Sequence, residues 1–152
     1  NQVYLSDLSE AIVDHNTIHG KLALDYIDDY IFVTENYISL TDTNQEAIEV
    51  SYLQASSRQS YISRNSIRNG RLYFWSNSAN IAIEGNVIQR SNRGGMYLGR
   101  GGSLYVKNNI ISGCTSTSPS YPIVGLRADQ GLIHFGNNTI TGNQGYNIFS
   151  VR

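Results

Sequence analysis

Asp25 and Glu49 are the candidate carboxyl pair for acid–base work in this chain, of a kind that any acid-rich array of stacked strands would offer. Each lies on or just beyond a short apolar strand, Leu22-Ala23-Leu24 and Ile48-Glu49-Val50. Hydrolysis of a glycosidic bond uses two carboxyls, about 5–5.5 Å apart for retention and about 6.5–9.5 Å for inversion. On neighbouring strands, two residues out of register, these two would have backbones roughly 8 Å apart, a spacing compatible with inversion. The same strand spacing turns Tyr73, Trp75 and Tyr97 outward, with Arg100, Arg127 and Asp129 following them. Flat rings stack on pyranose faces, and Asp, Glu and Arg make bidentate hydrogen bonds to hydroxyls. Asp25 and Glu49 could therefore serve as acid and base or simply as hydroxyl ligands. Elimination from a uronic acid would need a Lys or Arg base, for which Arg100 and Arg127 are the candidates.

Other chemistries find little support. Asp25, Asp28 and Asp29 precede a Tyr in a turn and read as solvated acids rather than a Ca²⁺ site. His15, His19 and His134 are scattered, and a two-His site around Asn16 lacks further ligands. No nucleophile elbow, P-loop or Cys-x-x-Cys is present. Neither a metal nor a cofactor is expected. The single cysteine, Cys114, reads as packing.

The residues above are positioned by a repeat. Ile81, Ile83, Asn86 and Ile88 define a unit of apolar, x, apolar, x, x, Asn, x, apolar. It recurs at Ala11/Val13/Asn16/Ile18, Ile31/Val33/Asn36/Ile38, Ser60/Ile62/Asn65/Ile67, Leu104/Val106/Asn109/Ile111 and Ile133/Phe135/Asn138/Ile140. The asparagines are 20, 29, 21, 23 and 29 residues apart. Apolar residues at i and i+2 form a strand with one buried face, and the Asn is expected to take the left-handed conformation that turns the chain. Only a coil returning to the same place at this period can stack such units. The fold class is therefore all-β, a right-handed single-stranded parallel β-helix of about six to seven coils. A β-sandwich gives no reason to repeat one Asn at one offset. Asn16, Asn36, Asn65, Asn86, Asn109 and Asn138 are expected to form a structural ladder of side-chain amides.

A second strand column lies between the Asn motifs, reading Val3-Tyr4-Leu5, Leu22-Ala23-Leu24, Ile48-Glu49-Val50, Leu72-Tyr73-Phe74, Met96-Tyr97-Leu98, Val124-Gly125-Leu126 and Phe149-Ser150-Val151. The connection into this column lengthens after Ile38, Ile88 and Ile111. Insertions on one edge of a solenoid often line its binding face.

Composition agrees with a single domain over residues 1–152. Of the 152 residues, 40% are hydrophobic, and no apolar run approaches a membrane span. Both ends fit mid-coil strands, the chain starts without Met, and no capping helix is visible, so an uncapped fragment of a longer chain is expected. Residues 1–50 hold one Lys against ten acids, whereas residues 51–107 hold eight basic residues against Glu84 alone. The basic middle coils read either as solvated faces or as a site for an anionic polymer. The net charge of −1 argues against nucleic acid as the partner.

The six Asn-x-Ile copies resemble the repeats of the pectin-lyase-like superfamily of parallel β-helices. The resemblance covers Val3 to Val151 and is specific for fold, since the superfamily includes lyases, polygalacturonases, alginate epimerases and phage tailspikes. The Asp-Pro-His of the epimerases and the Asn-Thr-Asp, Gly-His-Gly and Arg-Ile-Lys of the polygalacturonases are absent, as is a pectate-lyase calcium and arginine set. The remainder is most similar to a segment of a phage tailspike or receptor-binding appendage. That resemblance implies a virion-tail homotrimer or larger parent chain that binds, and often cleaves, a host surface polysaccharide or teichoic acid. A non-catalytic spacer mediating trimerisation and a secreted polysaccharide lyase or glycoside hydrolase are the alternatives.

Overall fold

A computed structural model describes residues 1–54, 58–76, 79–100, 102–127, 131–146 and 148–151, the side chains of Arg100 and of 148–151 excepted. The chain winds as a three-faced solenoid in which every strand pairing is parallel. One face carries the second strand column, and its strands include Gln45–Leu53, Gly70–Ser76, Met96–Arg100 and Val124–Arg127. The next carries the strands before each Asn, including Ser60–Ser63, Ile81–Glu84, Ser103–Lys107 and Leu132–Gly136. Gln2–Asp14 and Lys21–Thr34 run unbroken through the corner between these two faces and join them into one eleven-stranded sheet. The third face is a six-stranded sheet of three-residue strands that follow each Asn, from Thr17–His19 to Thr139–Thr141.

The repeat period sets the core. Equivalent apolar residues align coil on coil: Leu22, Ile48, Leu72 and Met96 on one face, Val33, Ile62, Ile83 and Val106 on the next, Ile38, Ile67, Ile88 and Ile111 on the third. All are buried. Coils about 4.8 Å apart place these side chains in direct contact, so each row is one continuous apolar column. Cys114 is buried among them, and burial pushes its thiol pKa up.

The asparagines knit the coils together inside the first corner. From Asn36 to Asn138, each Oδ1 accepts the backbone N–H of the Asn one coil before, at 2.9–3.0 Å, and a side-chain N–H of the same residue, at 2.9–3.2 Å. The other amide proton goes to the carbonyl of Val13, Val33, Ile62, Ile83 or Val106 at 2.8–2.9 Å. A buried primary amide has two donors and two acceptor positions, and in Asn36, Asn65, Asn86 and Asn109 all are used.

The turn chemistry differs from the expectation. It is the residue before each Asn that is left-handed: His15, Glu35, Arg64, Gly85, Asn108 and Asn137, with φ between 54° and 65°. The Asn must direct its amide into the corner, so its predecessor takes the reversal. Those predecessors are exposed except Gly85, which is half-buried, and the first three form a charged row in which His15 bridges Asp14 and Glu35, and Arg64 meets Glu35 at 2.7 Å. The hydrogen bond to Asp14 and then the charges of Asp14 and Glu35 raise the His15 pKa above its ordinary value.

A second set of left-handed residues lies at the corner between the first two faces, at Asp7, Tyr26 and Tyr52, with φ of 56°, 51° and 55°. Left-handed backbone costs a bulky L-residue about 1–2 kcal/mol. The two tyrosines stack at 4.9 Å and 5°, which returns only about 0.5–1.5 kcal/mol for the pair.

The register of the last coil also departs from expectation. Ile148, not Phe149, lies opposite Val124, and Phe149 lies opposite Gly125. Ile148-Phe149-Ser150-Val151 carries apolar residues in both phases, so alternation alone does not fix which phase faces inward.

Candidate functional site

Outward residues of the first face form two rows. Strand pairing aligns Tyr4, Ala23, Glu49, Tyr73, Tyr97 and Gly125 in one, and Ser6, Asp25, Ser51, Trp75, Gly99 and Arg127 in the other. Tyr73, Trp75 and Tyr97 come together and are all partly exposed. Tyr73 and Tyr97 are parallel within 8° at 5.6 Å, and Trp75 lies 6.0 Å from Tyr97 at 26°. Burial, then the neighbouring Tyr97 hydroxyl, raises the Tyr73 pKa.

Glycine makes the platform possible. A Cβ at Gly99 would stand 2.1 Å from Cζ3 of Trp75, and one at Gly125 would stand 2.5 Å from Cδ2 of Tyr97. Each ring thus leans along the helix axis and fills the space that a side chain on the next coil would take. Gly99 and Gly125 have no left-handed backbone, so space, not conformation, is what requires them. Gly99→Ala is therefore expected to lift the Trp75 ring while leaving the fold intact. A red-shifted Trp75 emission with unchanged far-UV circular dichroism would show this; an unshifted spectrum would mean that the ring does not rest on Gly99.

Beneath the rings lies Arg71, which the sequence reading passed over. It is buried, and its guanidinium carbon is 5.3, 5.7 and 5.2 Å from the ring centroids of Tyr73, Tyr97 and Tyr121. Its Nε and Nη2 donate to Oε1 of Glu46 at 3.2 and 2.8 Å. Arg93 approaches the same oxygen at 3.3 Å and covers Tyr121 at 4.4 Å. Burial raises the Glu46 pKa, but a hydrogen bond from its own backbone amide and the charges of Arg71 and Arg93 outweigh it and hold the carboxyl below its ordinary value.

The lengthened connections build a wall beside the platform. Asn92 donates its backbone N–H to the Thr43 carbonyl at 2.8 Å and its side-chain amide to Thr43 Oγ1 at 2.7 Å. Arg93 donates to the Asn44 carbonyl at 3.2 Å. Tyr121 comes from the third insertion, after Ile111. The edge on which these insertions fall was legible, but the residues they deliver, Arg93 and Tyr121, were not singled out.

The two carboxylates lie on adjacent coils, two residues out of register, at the early end of the platform. They are differently held. Glu49 is ion-paired with Lys21. Asp25 accepts the Tyr4 hydroxyl at 3.3 Å through Oδ2, while its Oδ1 has no hydrogen-bond partner among the described residues. Arg127 reaches the platform, with its guanidinium carbon 5.3 Å from the Trp75 ring. The Arg100 side chain and Asp129 lie outside the described residues. Among the described residues no group of three or more His, Cys, Asp or Glu could hold a metal, so Asp25, Asp28 and Asp29 do not converge on one. Nor is any described helix long and apolar enough to cross a membrane.

Part of the charge imbalance along the chain is offset by ion pairs between coils. Arg58 pairs with Glu10 and Asp29, Arg64 with Glu35, Arg71 and Arg93 with Glu46, and Lys21 with Glu49. In Arg58–Glu10, Arg58–Asp29, Arg64–Glu35 and Arg71–Glu46 an acid of an earlier coil meets a base of a later one.

The parallel register, the Asn ladder and the three apolar columns specify one architecture, and the family described as a right-handed beta helix region matches residues 1–151. The chain belongs to the right-handed β-helix family. No curated protein and no solved structure matches it. The family occurs in proteins that bind or degrade polysaccharides. In this β-helix the features that could serve such a polymer are concentrated on the first face, where rings, arginines and carboxylates share consecutive coils.

Proposed function

We propose that this β-helix binds a polysaccharide along its first face. The observation that carries the reading is the platform of Tyr73, Tyr97 and Trp75, inclined over glycines and backed by the buried Arg71–Glu46 pair. Aromatic rings held in fixed orientation, with Arg and carboxylate groups at their edges, supply stacking to pyranose faces and hydrogen bonds to hydroxyls. Asp25 and Glu49 act as hydroxyl ligands at the early end, and Arg127 adds a cation at the late end. The resemblance to phage appendages narrows the polymer to a bacterial surface glycan or teichoic acid and adds a trimer; that narrower reading rests on resemblance alone.

Tryptophan emission of the 152-residue chain, titrated with neutral, uronate-containing and phosphate-containing polysaccharides, tests this, with reducing-end release followed in the same samples. Binding is expected to change the Trp75 emission, and Trp75→Ala is expected to weaken affinity at least about tenfold with the fold intact. Release of oligosaccharides would turn Asp25 and Glu49 into catalytic candidates, with Asp25→Asn and Glu49→Gln as the follow-up. If Trp75→Ala instead changes only the oligomeric state, the face is an interface in a structural spacer and the proposal fails.

A further inference from the structure

We infer that Tyr26 and Tyr52 form a second sugar-stacking subsite, contiguous with the Trp75 platform, so that a bound polysaccharide lies along the helix axis toward the first coils. The inference rests on the polysaccharide-binding reading and extends it to residues outside the platform. Ser51 pairs with Trp75 across adjacent strands, and Tyr52 is the next residue after Ser51. Asp25 pairs with Ser51, and Tyr26 follows Asp25. The stacked pair therefore begins one coil before Trp75 and one residue toward the corner.

Folding does not account for these tyrosines. The corner needs a left-handed residue, and Asp7 supplies one in the first coil without an aromatic ring. Asp and Asn take that conformation far more readily than an aromatic residue does. Yet two successive coils place tyrosine there, and neither ring is used in the core: the residues are 49% and 47% exposed. Stacking covers one face of each ring, and about half of each residue stays exposed. Backbone strain at exposed aromatics is the kind of cost retained for a ligand.

The surroundings define the ligand class. On the platform side the pair is flanked by Asp25 and Ser51, on the far side by Asp28 and Gln54, whose side chains are hydrogen-bonded to each other at 3.0 Å. Half-exposed rings between carboxylate, hydroxyl and amide groups suit a sugar ring, which has an apolar face and a polar rim. An apolar chain would strip water from those flanking groups and give them no new hydrogen bonds.

The test is calorimetric titration of the wild-type chain, Trp75→Ala and the double variant Tyr26→Asn/Tyr52→Asn with alginate, dextran and a teichoic acid, each as long polymer and as short oligomers. Asparagine keeps the turn, so the double variant is expected to melt at or above the wild-type temperature. Its affinity for long polymer is expected to fall about tenfold while affinity for short oligomers, held at Trp75, is unchanged. Trp75→Ala should weaken both. Unaltered long-polymer affinity in the double variant, with Trp75→Ala still defective, would overturn the second subsite and leave the platform standing. A fall in melting temperature of more than about 5 °C would mark the tyrosines as structural and also overturn it. Absence of wild-type binding to all three polymers would remove both readings together.

Discussion

Asn86→Asp is expected to destabilise the β-helix by at least about 3 kcal/mol at neutral pH, although it changes one NH₂ to an oxygen. Asn86 is fully buried. Its Oδ1 accepts two N–H groups from Asn65, and aspartate preserves that. Its Nδ2 donates to the Ile62 carbonyl at 2.8 Å and to Asn109 Oδ1 at 2.9 Å. A second carboxylate oxygen in that place would face two acceptors with no proton to share and no water to solvate its charge. Protonation supplies one of the two missing donors, so the folded state favours the neutral acid and the folded pKa lies above the unfolded value of about 3.9. For a raised pKa the stabilisation is complete below the unfolded pKa and is lost as pH rises through the folded one. The gap between variant and wild type should therefore be smallest near pH 4 and widen toward pH 8. Urea midpoints at the two pH values measure it. A gap that does not change with pH would mean that water enters the ladder and solvates the carboxylate.

That single corner shows why the fold was legible in the sequence. The period of the apolar residues fixes which side chains face inward, and a buried amide on every coil needs a partner at the same height on the next, so one Asn recurs at one offset. Both constraints act along the helix axis, where every coil meets its neighbour in the same way. Turn conformation is a different matter. His15, Glu35, Arg64, Gly85, Asn108 and Asn137 share a left-handed backbone but no common chemistry, because only the Asn that follows each is held from both sides. The last coil escaped for a related reason: Ile148-Phe149-Ser150-Val151 satisfies a buried face in either phase, so alternation does not choose between them.

The site was legible only where it obeys the same rows. Tyr73, Trp75 and Tyr97 fall on one patch by strand alternation, and the glycines that receive Trp75 and Tyr97 are the next members of the same rows, Gly99 and Gly125. An aromatic followed one coil later by glycine is thus a readable signal for a ring lying along the axis. Arg71, Arg93 and Tyr121 follow no row. Arg71 is reached from Glu46 across an irregular pairing, and Arg93 and Tyr121 come from insertions of unequal length. Their meeting depends on how far each insertion reaches, which no repeat encodes. Likewise the pairing of Glu49 with Lys21 follows from side-chain reach between coils, so the strand rows identify the carboxylate without its partner.

Glu46→Ala should cost more than Arg71→Met, although both break the same pair. The side chain of Arg71 is 5% exposed and that of Glu46 17% exposed. Removing Glu46 leaves a guanidinium buried against three tyrosines with its carboxylate gone and takes the ion pair from Arg93 as well, a loss of about 3–5 kcal/mol. The tyrosine rings offset only part of this, about 0.5–2 kcal/mol for each cation–π contact. Arg71→Met removes the buried charge itself, fills a similar volume against the rings, and leaves Glu46 paired with Arg93, so its cost should be well below that of Glu46→Ala. The pair also sets an acid limit. The Glu46 pKa is lowered in the folded chain, so its contribution is present in full above the unfolded pKa of about 4.3 and is lost as pH falls through the folded value. Wild type should therefore lose stability on acidification faster than Glu46→Ala, and the two denaturation midpoints should converge at low pH. Equal costs for the two substitutions, or midpoints that stay parallel with pH, would show that the rings alone hold Arg71. The platform would then owe its rigidity to Gly99 and Gly125, and not to the charge beneath it.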